Sequence, residues 1–319
     1  RGQRRVLEEQ RAAVRGLLAE AKDLPAAKRR RLALPILQAA HDDVRVVCLE
    51  RPSPSNFSPH VAANRPVLLR SLVGSDLWPL PSGIAWTDEH LEELCGAKLV
   101  PLRSIAVADS NHRVFGDPFL ESGRQTHEVP LRSYLATLRE PSPNLYAARV
   151  LLKTLPELEA EVVPPESLPY SRLFGKPYFE GVITYFGAGE QVTPLHFDEQ
   201  ENLLFVLRGS KKLVLFPPSE SEKLYPGDFP KHLFSRIRTV ESFDRGAHGE
   251  FQKFANARAI HVEVSTGDAL YLPYGWWHQV TGSQEPNLTL NYWYDVHAEK
   301  SELACPPSRL DVQSRIQIS

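Results

Sequence analysis

From Tyr178 onward the chain breaks into short runs of Val, Leu, Ile, Phe, Tyr and Thr, each closed by Gly, Pro or Ser, and this texture constrains the fold more than any other feature. The runs are Gly181-Val-Ile-Thr-Tyr-Phe, Leu203-Leu-Phe-Val-Leu, Lys212-Leu-Val-Leu-Phe, Ile260-His-Val-Glu-Val, Ala269-Leu-Tyr-Leu and Asn287-Leu-Thr-Leu-Asn-Tyr-Trp-Tyr. β-Branched and aromatic residues between turn formers read as strands, and six strands at close spacing predict a sandwich or barrel. One interval does not fit the pattern. From Pro217 to about Ala259 there is Gly, Pro, Phe and charge without periodicity, a stretch too long for a turn and of the size of a functional insertion.

Upstream the texture differs. Val6, Leu7, Val14, Leu17, Leu18, Leu32 and Ile36 fall at helical spacing, which predicts two helices broken near Pro25, the second kinked at Pro35. Arg51-Pro-Ser-Pro-Ser-Asn reads as a loop at the entry to the main domain. Between residues 60 and 165, strand-like Pro66-Val-Leu-Leu-Arg and Lys98-Leu-Val-Pro-Leu mix with helical stretches from Trp86 to Cys95 and Leu131 to Leu138. The expected organisation is a helical segment over 1–50 and a mainly β domain with helices, α+β in class, over 51–319, with the insertion at about 217–259.

Charge narrows the function classes. The 37 basic and 39 acidic residues leave a net charge of −2, so no global field draws the chain to nucleic acid or to an anionic membrane, and partner choice rests on a local site. Lys28-Arg-Arg-Arg31 reads as a solvated helix face, with nuclear targeting or RNA contact as the alternative. Cys48, Cys95 and Cys305 form neither a disulfide framework nor a zinc pattern and read as plain thiols. No apolar run approaches the ~20 residues of a membrane span. We therefore expect a soluble protein of the cytoplasm, the nucleus or both. The chain has no Met, from which we expect a trimmed or processed start. Neither a Gly-x-Gly-x-x-Gly fingerprint nor a P-loop occurs, so nucleotide-dependent chemistry has no support.

Metal chemistry has more. In Thr193-Pro-Leu-His-Phe-Asp-Glu-Gln, His196 and Asp198 stand two apart, and on an extended strand both side chains leave the same face. His41 and Asp43 repeat the spacing in or beside a helix, where a two-residue step turns side chains about 200° apart. His261 and Glu263 alternate with Val262 and Val264, as in any half-buried strand. The segment Gly267-Asp-Ala-Leu-Tyr-Leu-Pro-Tyr-Gly-Trp-Trp-His278 sets the first pair apart, because a strand, a Pro/Gly turn and a returning strand carry His278 back across the sheet. Two imidazoles and one carboxylate on one face of an ion leave the opposite face open, the arrangement suited to non-haem Fe(II). Lys211 shares strand parity with Leu213 and Leu215 and so can point inward, whereas Lys212 has the opposite parity. An inward Lys needs a counter-charge, which a ligand carboxylate would supply; a hairpin-end lysine reaching solvent is the ordinary alternative. Asn287, Thr289, Asn291 and Trp293 likewise share one strand face, which lines either a cavity or solvent.

Taken together, His196-Phe-Asp198, Gly-Ser-Lys211-Lys-Leu-Val-Leu-Phe-Pro-Pro, Gly-Asp…Leu-Pro…Trp-Trp-His278 and Asn291-Tyr-Trp-Tyr resemble the JmjC family of Fe(II)- and 2-oxoglutarate-dependent oxygenases. Within that family they resemble the small protein hydroxylases around factor inhibiting HIF and the JMJD-seven type. The dense part of the match spans about residues 180 to 296, with Asn64-Arg-Pro-Val-Leu-Leu-Arg and Asn144-Leu-Tyr146 carrying it upstream. The resemblance implies a double-stranded β-helix, the jelly roll of cupins. It implies that His196, Asp198 and His278 hold Fe(II) and form the catalytic centre. It implies that Thr193, Lys211 and Tyr146 bind the distal carboxylate of 2-oxoglutarate, with Asn202 and Asn291 lining the pocket. Of the neighbouring tryptophans, Trp277 and Trp293 are expected near the substrate or behind the ligands, and one of Trp276 and Trp277 in the core.

The expected function is hydroxylation of a side chain of a protein or peptide, consuming O2 and releasing succinate and CO2. Two alternatives stay open: the same chemistry on nucleic acid or on N-methyl-lysine, and a metal-binding cupin-like module without catalysis. The 25 residues after Tyr294 include Cys305-Pro-Pro-Ser, from which we expect no C-terminal helical dimerisation segment; the oligomeric state stays open.

Overall fold

Strand alternation decides how the chain layers. On β8 (Glu201–Arg208), Leu203, Phe205 and Leu207 join one apolar cluster and Leu204 and Val206 another, so the strand is buried on both faces. The computed structural model describes residues 46–50, 52–78, 86–106, 113–119, 124–140, 142, 144–241 and 249–296. Of the helical segment expected over 1–50, residues 1–45 lie outside the described residues, as do Lys28 to Arg31, the His41/Asp43 pair and Cys305; its end is not helical, since Val47–Leu49 form a strand.

Two sheets result. A nine-stranded sheet runs in the order β1 (Val47–Leu49), β2 (Val67–Leu69), β11 (Ala269–Leu272), β8, β13 (Asn287–Tyr294), β6 (Ile183–Gly187), β5 (Leu145–Leu151), β3 (Leu99–Ile105) and β4 (Arg124–Pro130). Its strands are antiparallel except for the β1–β2 pair. A four-stranded antiparallel sheet runs β10 (Ile260–Ser265), β9 (Ser210–Phe216), β12 (Trp277–Gly282) and β7 (Val192–Phe197). One apolar cluster draws Leu68, Leu204, Leu270 and Leu272 from the first sheet and Leu213, Leu215, Val262 and Val264 from the second, so it fills the space between them. The fold is the expected jelly roll, mainly β with few helices.

Helices close the outer face of the large sheet. Phe57 of α1 (Pro54–Ala62), Leu91 of α2 (Asp88–Cys95) and Tyr134 of α3 (Leu131–Thr137) pack in one cluster with Tyr271, Tyr292 and Tyr294. The start of α1 corrects the loop expected at Arg51-Pro-Ser-Pro-Ser-Asn. Ser53 Oγ accepts from Asn56 N at 3.3 Å while Ser53 N donates to Asn56 Oδ1 at 2.7 Å, and Pro54 stands in the first turn. Ser before Pro is thus a helix start here, its cap reciprocated three residues on. Among the described residues no helix is long and apolar enough to cross a membrane.

The described part of the 217–259 insertion is a packed cover rather than a free loop. Leu224, Ile237, Phe251 and Phe254 sit against Leu195, Phe197, Phe216 and Trp277 on the outer face of the small sheet. The stretch from Leu233 to Arg238 also bonds along the edge strand β7, with Phe197 N donating to Leu233 O at 2.9 Å and Leu195 N to Arg238 O at 2.7 Å. Edge groups that would otherwise be left unpaired are thereby satisfied.

Candidate functional site

Strand register alone brings the two histidines together. β7 and β12 are antiparallel with His278 directly opposite His196, and the ring centroids lie 4.2 Å apart at 51°. Each Nδ1 faces a carbonyl oxygen, Pro194 O at 2.7 Å for His196 and Trp276 O at 2.9 Å for His278. A carbonyl only accepts, so both Nδ1 atoms donate, and in the neutral ring this tautomer leaves the lone pair on Nε2. Those Nε2 atoms face the Asp198 carboxylate, His196 to Oδ1 and His278 to Oδ2, each at 3.8 Å. That separation is too long for a direct hydrogen bond. One donor atom from each of the three residues lies within 4.8 Å of the others.

Electrostatics keeps the donors available. Burial, and then the neighbouring His196, pull His278 down to about 4, with Asp198 opposing in part. The imidazole is therefore neutral at physiological pH, as a metal ligand must be. Two imidazoles and a carboxylate turned toward one point fit Fe(II) and comparable divalent ions.

A bulge in β7 supplies a fourth wall residue. Opposite β12, the register passes from His278↔His196 to Val280↔Thr193, so three steps on β7 meet two on β12. Without that extra residue Thr193 and His196, three apart, would face opposite ways. With it, both line a cleft of about 430 Å3, open mouth included.

The same cleft contains every co-substrate residue expected from the sequence: Thr193, Lys211, Tyr146, Asn202 and Asn291. Lys211 is 2% exposed, while Lys212 points to solvent. The Lys211 Nζ donates to Tyr146 Oη at 3.4 Å and lies 5.4 Å from the centre of that ring. Among the described residues Lys211 forms no ion pair, and burial pulls its ammonium down to about 7. Burial holds the Tyr146 phenol well above its ordinary range, so it stays protonated. Asn291 Nδ2 donates to Asn202 Oδ1 at 3.1 Å across β13 and β8. On β13, Thr289, Asn291 and Trp293 face the cleft while Leu288, Leu290, Tyr292 and Tyr294 enter the core, so this part of the polar stripe lines a cavity; Asn287 does not, its Nδ2 donating to Ser283 O at 3.2 Å.

Trp293 stands at the cleft, but Trp277 does not. Adjacent residues on a strand face opposite ways, so with His278 turned into the cleft Trp277 goes to the outer face of β12. It packs on Phe197 with ring centroids 4.8 Å apart and donates from Nε1 to Ser221 Oγ at 2.8 Å. Of the two places expected for it, beside the substrate or behind the ligands, the first is corrected: it is a core residue under the insertion and does not line the cleft. Trp276 is also core, with its carbonyl serving His278. Sequence reasoning missed Tyr185 of β6, which lines the cleft, and Phe234, which stacks on His196 at 5.5 Å and 16°. For Tyr185, strand parity was an available signal; for Phe234, deep in the insertion, none was. His261 and Glu263 lie on the solvent face of β10. Cys95 is buried, its thiol pushed up to about 11 by burial, and Cys48 is exposed; both are free.

Comparison with known proteins adds a family. A model of the cupin-like domain matches residues 53–300. Lysine-specific demethylase 8 of Xenopus tropicalis is 24% identical over 269 residues, which are 82% of this chain and 55% of that protein. Jumonji C domain-containing protein 5 of Drosophila melanogaster is 23% identical over 256 residues, 77% of this chain and 59% of that one. The tRNA wybutosine-synthesizing protein 5 of Homo sapiens is 27% identical over 266 residues, 79% of this chain and 78% of that one. The chain thus spans between 55% and 64% of the length of the first three curated relatives.

Proposed function

The chain belongs to the cupin-like domain family, with a JmjC-type core, and from that premise we propose that it is an Fe(II)- and 2-oxoglutarate-dependent dioxygenase that hydroxylates a side chain of a protein or peptide. One observation carries the reading. A buried lysine with no acidic partner among the described residues opens into the same cleft as two imidazoles and a carboxylate.

His196, Asp198 and His278 would hold the iron. When bound, Fe(II) with 2-oxoglutarate and O2 supplies an oxidative decarboxylation that yields succinate and CO2 and places one oxygen atom into a substrate C–H bond. The chain's own groups bind and orient. Lys211 meets the distal carboxylate of 2-oxoglutarate with its ammonium, and Tyr146 and Thr193 add hydroxyl donors. The Asn202–Asn291 pair fixes the two amides that face the ligand between β8 and β13. Leu204, Leu272 and Val280 form an apolar wall that limits water around the carboxylate pair. The Nδ1 donors keep both rings from turning their lone pairs away.

The test is an anaerobic titration of the apo chain with Fe(II) and then 2-oxoglutarate, read by the visible metal-to-ligand charge-transfer band, with Asp198→Ala beside it. A band in the parent chain alone is the expected outcome. Bound metal without a band would overturn the oxygenase reading in favour of a non-catalytic metal-binding module.

A second reading keeps the chemistry and changes the substrate. The relative named for tRNA wybutosine synthesis matches over 78% of its own length, which favours a modified RNA nucleoside over other nucleic acids. The relatives named as lysine demethylases favour an N-methyl group. Mass spectrometry of peptides and of nucleosides after turnover separates protein from RNA, and released formaldehyde identifies demethylation.

A further inference from the structure

We propose that Asn64, which does not line the cleft, is a positioning residue that clamps the Pro273–Trp276 turn from which both Asp198 and His278 are held. The proposal rests on the metal reading given above and extends it to the asparagine that opens Asn64-Arg-Pro-Val-Leu-Leu-Arg.

The turn links β11 to β12, and several of its groups are engaged by the elements around it. Gly275 N donates to the main-chain oxygen of Asp198 at 3.1 Å. Trp276 O accepts from His278 Nδ1 at 2.9 Å. Tyr274 N donates to Glu201 Oε2 at 3.1 Å, and that oxygen also accepts from Tyr271 Oη at 2.8 Å. One carbonyl and one amide of a single turn therefore set the azimuth of the His278 ring and the height of the Asp198 backbone. A shift of the turn moves two of the three donors together.

Asn64 grips this turn from outside the sheet at two points. Its Nδ2 donates to Tyr274 O at 3.1 Å, and its main-chain oxygen accepts from Trp276 Nε1 at 2.8 Å. It is 2% exposed and sits just past the end of α1 with φ of 51°. A left-handed residue other than Gly is disfavoured unless its side chain is short and can bond locally, which singles out Asn and Asp. Asp would set a carboxylate against the Tyr274 carbonyl, which only accepts. Asn is thus the residue type that meets the backbone and the donor requirement at once. Both bonds close across more than 200 positions of sequence, so they tie α1 and β2 to the ligand-bearing turn.

The test uses the full apo chain and two single variants. Asn64→Gly keeps the left-handed backbone and the acceptor oxygen but loses the Nδ2 donor. Trp276→Phe keeps an aromatic ring in the core but loses the N–H that reaches Asn64. Co(II) is titrated as the probe, reading affinity and the visible d–d bands, while amide exchange is followed at residues 273–278 and thermal unfolding monitors the apo fold. The expected result is an affinity loss of about ten-fold, of the size seen for groups that orient metal ligands. It should come with shifted d–d bands and faster exchange at Gly275, in chains that still unfold cooperatively. Parental affinity and bands in both folded variants would overturn the proposal. If Asn64→Gly fails to fold, Trp276→Phe decides by the same two readouts. A parent chain that takes up neither Co(II) nor Fe(II) would sink the metal reading itself, and the proposal with it.

Discussion

The indole N–H of Trp293 donates to Asp198 Oδ2 at 3.2 Å, the same oxygen that faces His278 Nε2 at 3.8 Å. The guanidinium of Arg149 lies 5.6 Å from the centre of that indole and is itself paired with Glu180, so the ring is held from its far side. An indole fixed in this way limits the rotation of the carboxylate. Trp293→Phe should keep the ring in place, free the carboxylate and weaken metal binding by about ten-fold. A titration giving the parental affinity would show that the carboxylate is oriented by other groups.

Asp198→Ala goes further, since it removes the one anionic donor of the cluster. Two imidazoles remain, and neither carries a negative charge to offset that of a divalent ion. Iron retained after gel filtration should fall to background and turnover should vanish with it. A variant that kept stoichiometric iron and activity would remove Asp198 from the ligand set.

Much of this was legible because period-two alternation is a local property of a strand. His196 and Asp198, Lys211 against Lys212, and the polar face of β13 all followed from counting residues, since burial on either side of a sheet leaves that count in the sequence. Three things lay outside that count. The bulge at Pro194-Leu195 that lets Thr193 and His196 share a wall is a relation between two strands and leaves no period on either. The strand carrying Tyr146, Leu145-Tyr-Ala-Ala-Arg-Val-Leu, is buried on both faces for much of its length and shows no alternation. The Ser-Pro stretch before α1 looks like a loop until its capping partner Asn56 is counted. The direction of Trp277 was local and was misplaced because its proximity to His278 in sequence outweighed its parity.

Trp277 gives a prediction that separates packing from chemistry. It is fully buried beneath the insertion, among Phe197, Phe216 and Leu224. Trp277→Ala should cost about 3–5 kcal/mol of stability, the range for truncating a large aromatic side chain in a core. Denaturant unfolding measures the loss. Metal affinity of the fraction still folded should stay close to the parental value, and a collapse of affinity in chains that remain folded would put Trp277 back behind the ligands.

Lys211 gives the pH dependence. Burial pulls its ammonium from 10.5 to about 7, so in the free chain it is charged below about 7 and neutral above. A carboxylate binds the charged form and raises the lysine again. Affinity for 2-oxoglutarate should therefore be level below about pH 7. Above it, affinity should fall by up to about ten-fold per pH unit until the bound-state value is reached. The free chain runs the other way. Its lysine is harder to protonate folded than unfolded, so the unfolded state binds more protons between about 7 and 10.5, and this group's contribution to stability grows as pH rises through that window. Lys211→Arg stays charged throughout and should flatten the affinity profile, while Lys211→Met should flatten it at much weaker binding. Equilibrium titrations of 2-oxoglutarate at pH 6, 7, 8 and 9 on the three chains decide the matter, and a level profile in the parent would mean that the carboxylate is anchored elsewhere.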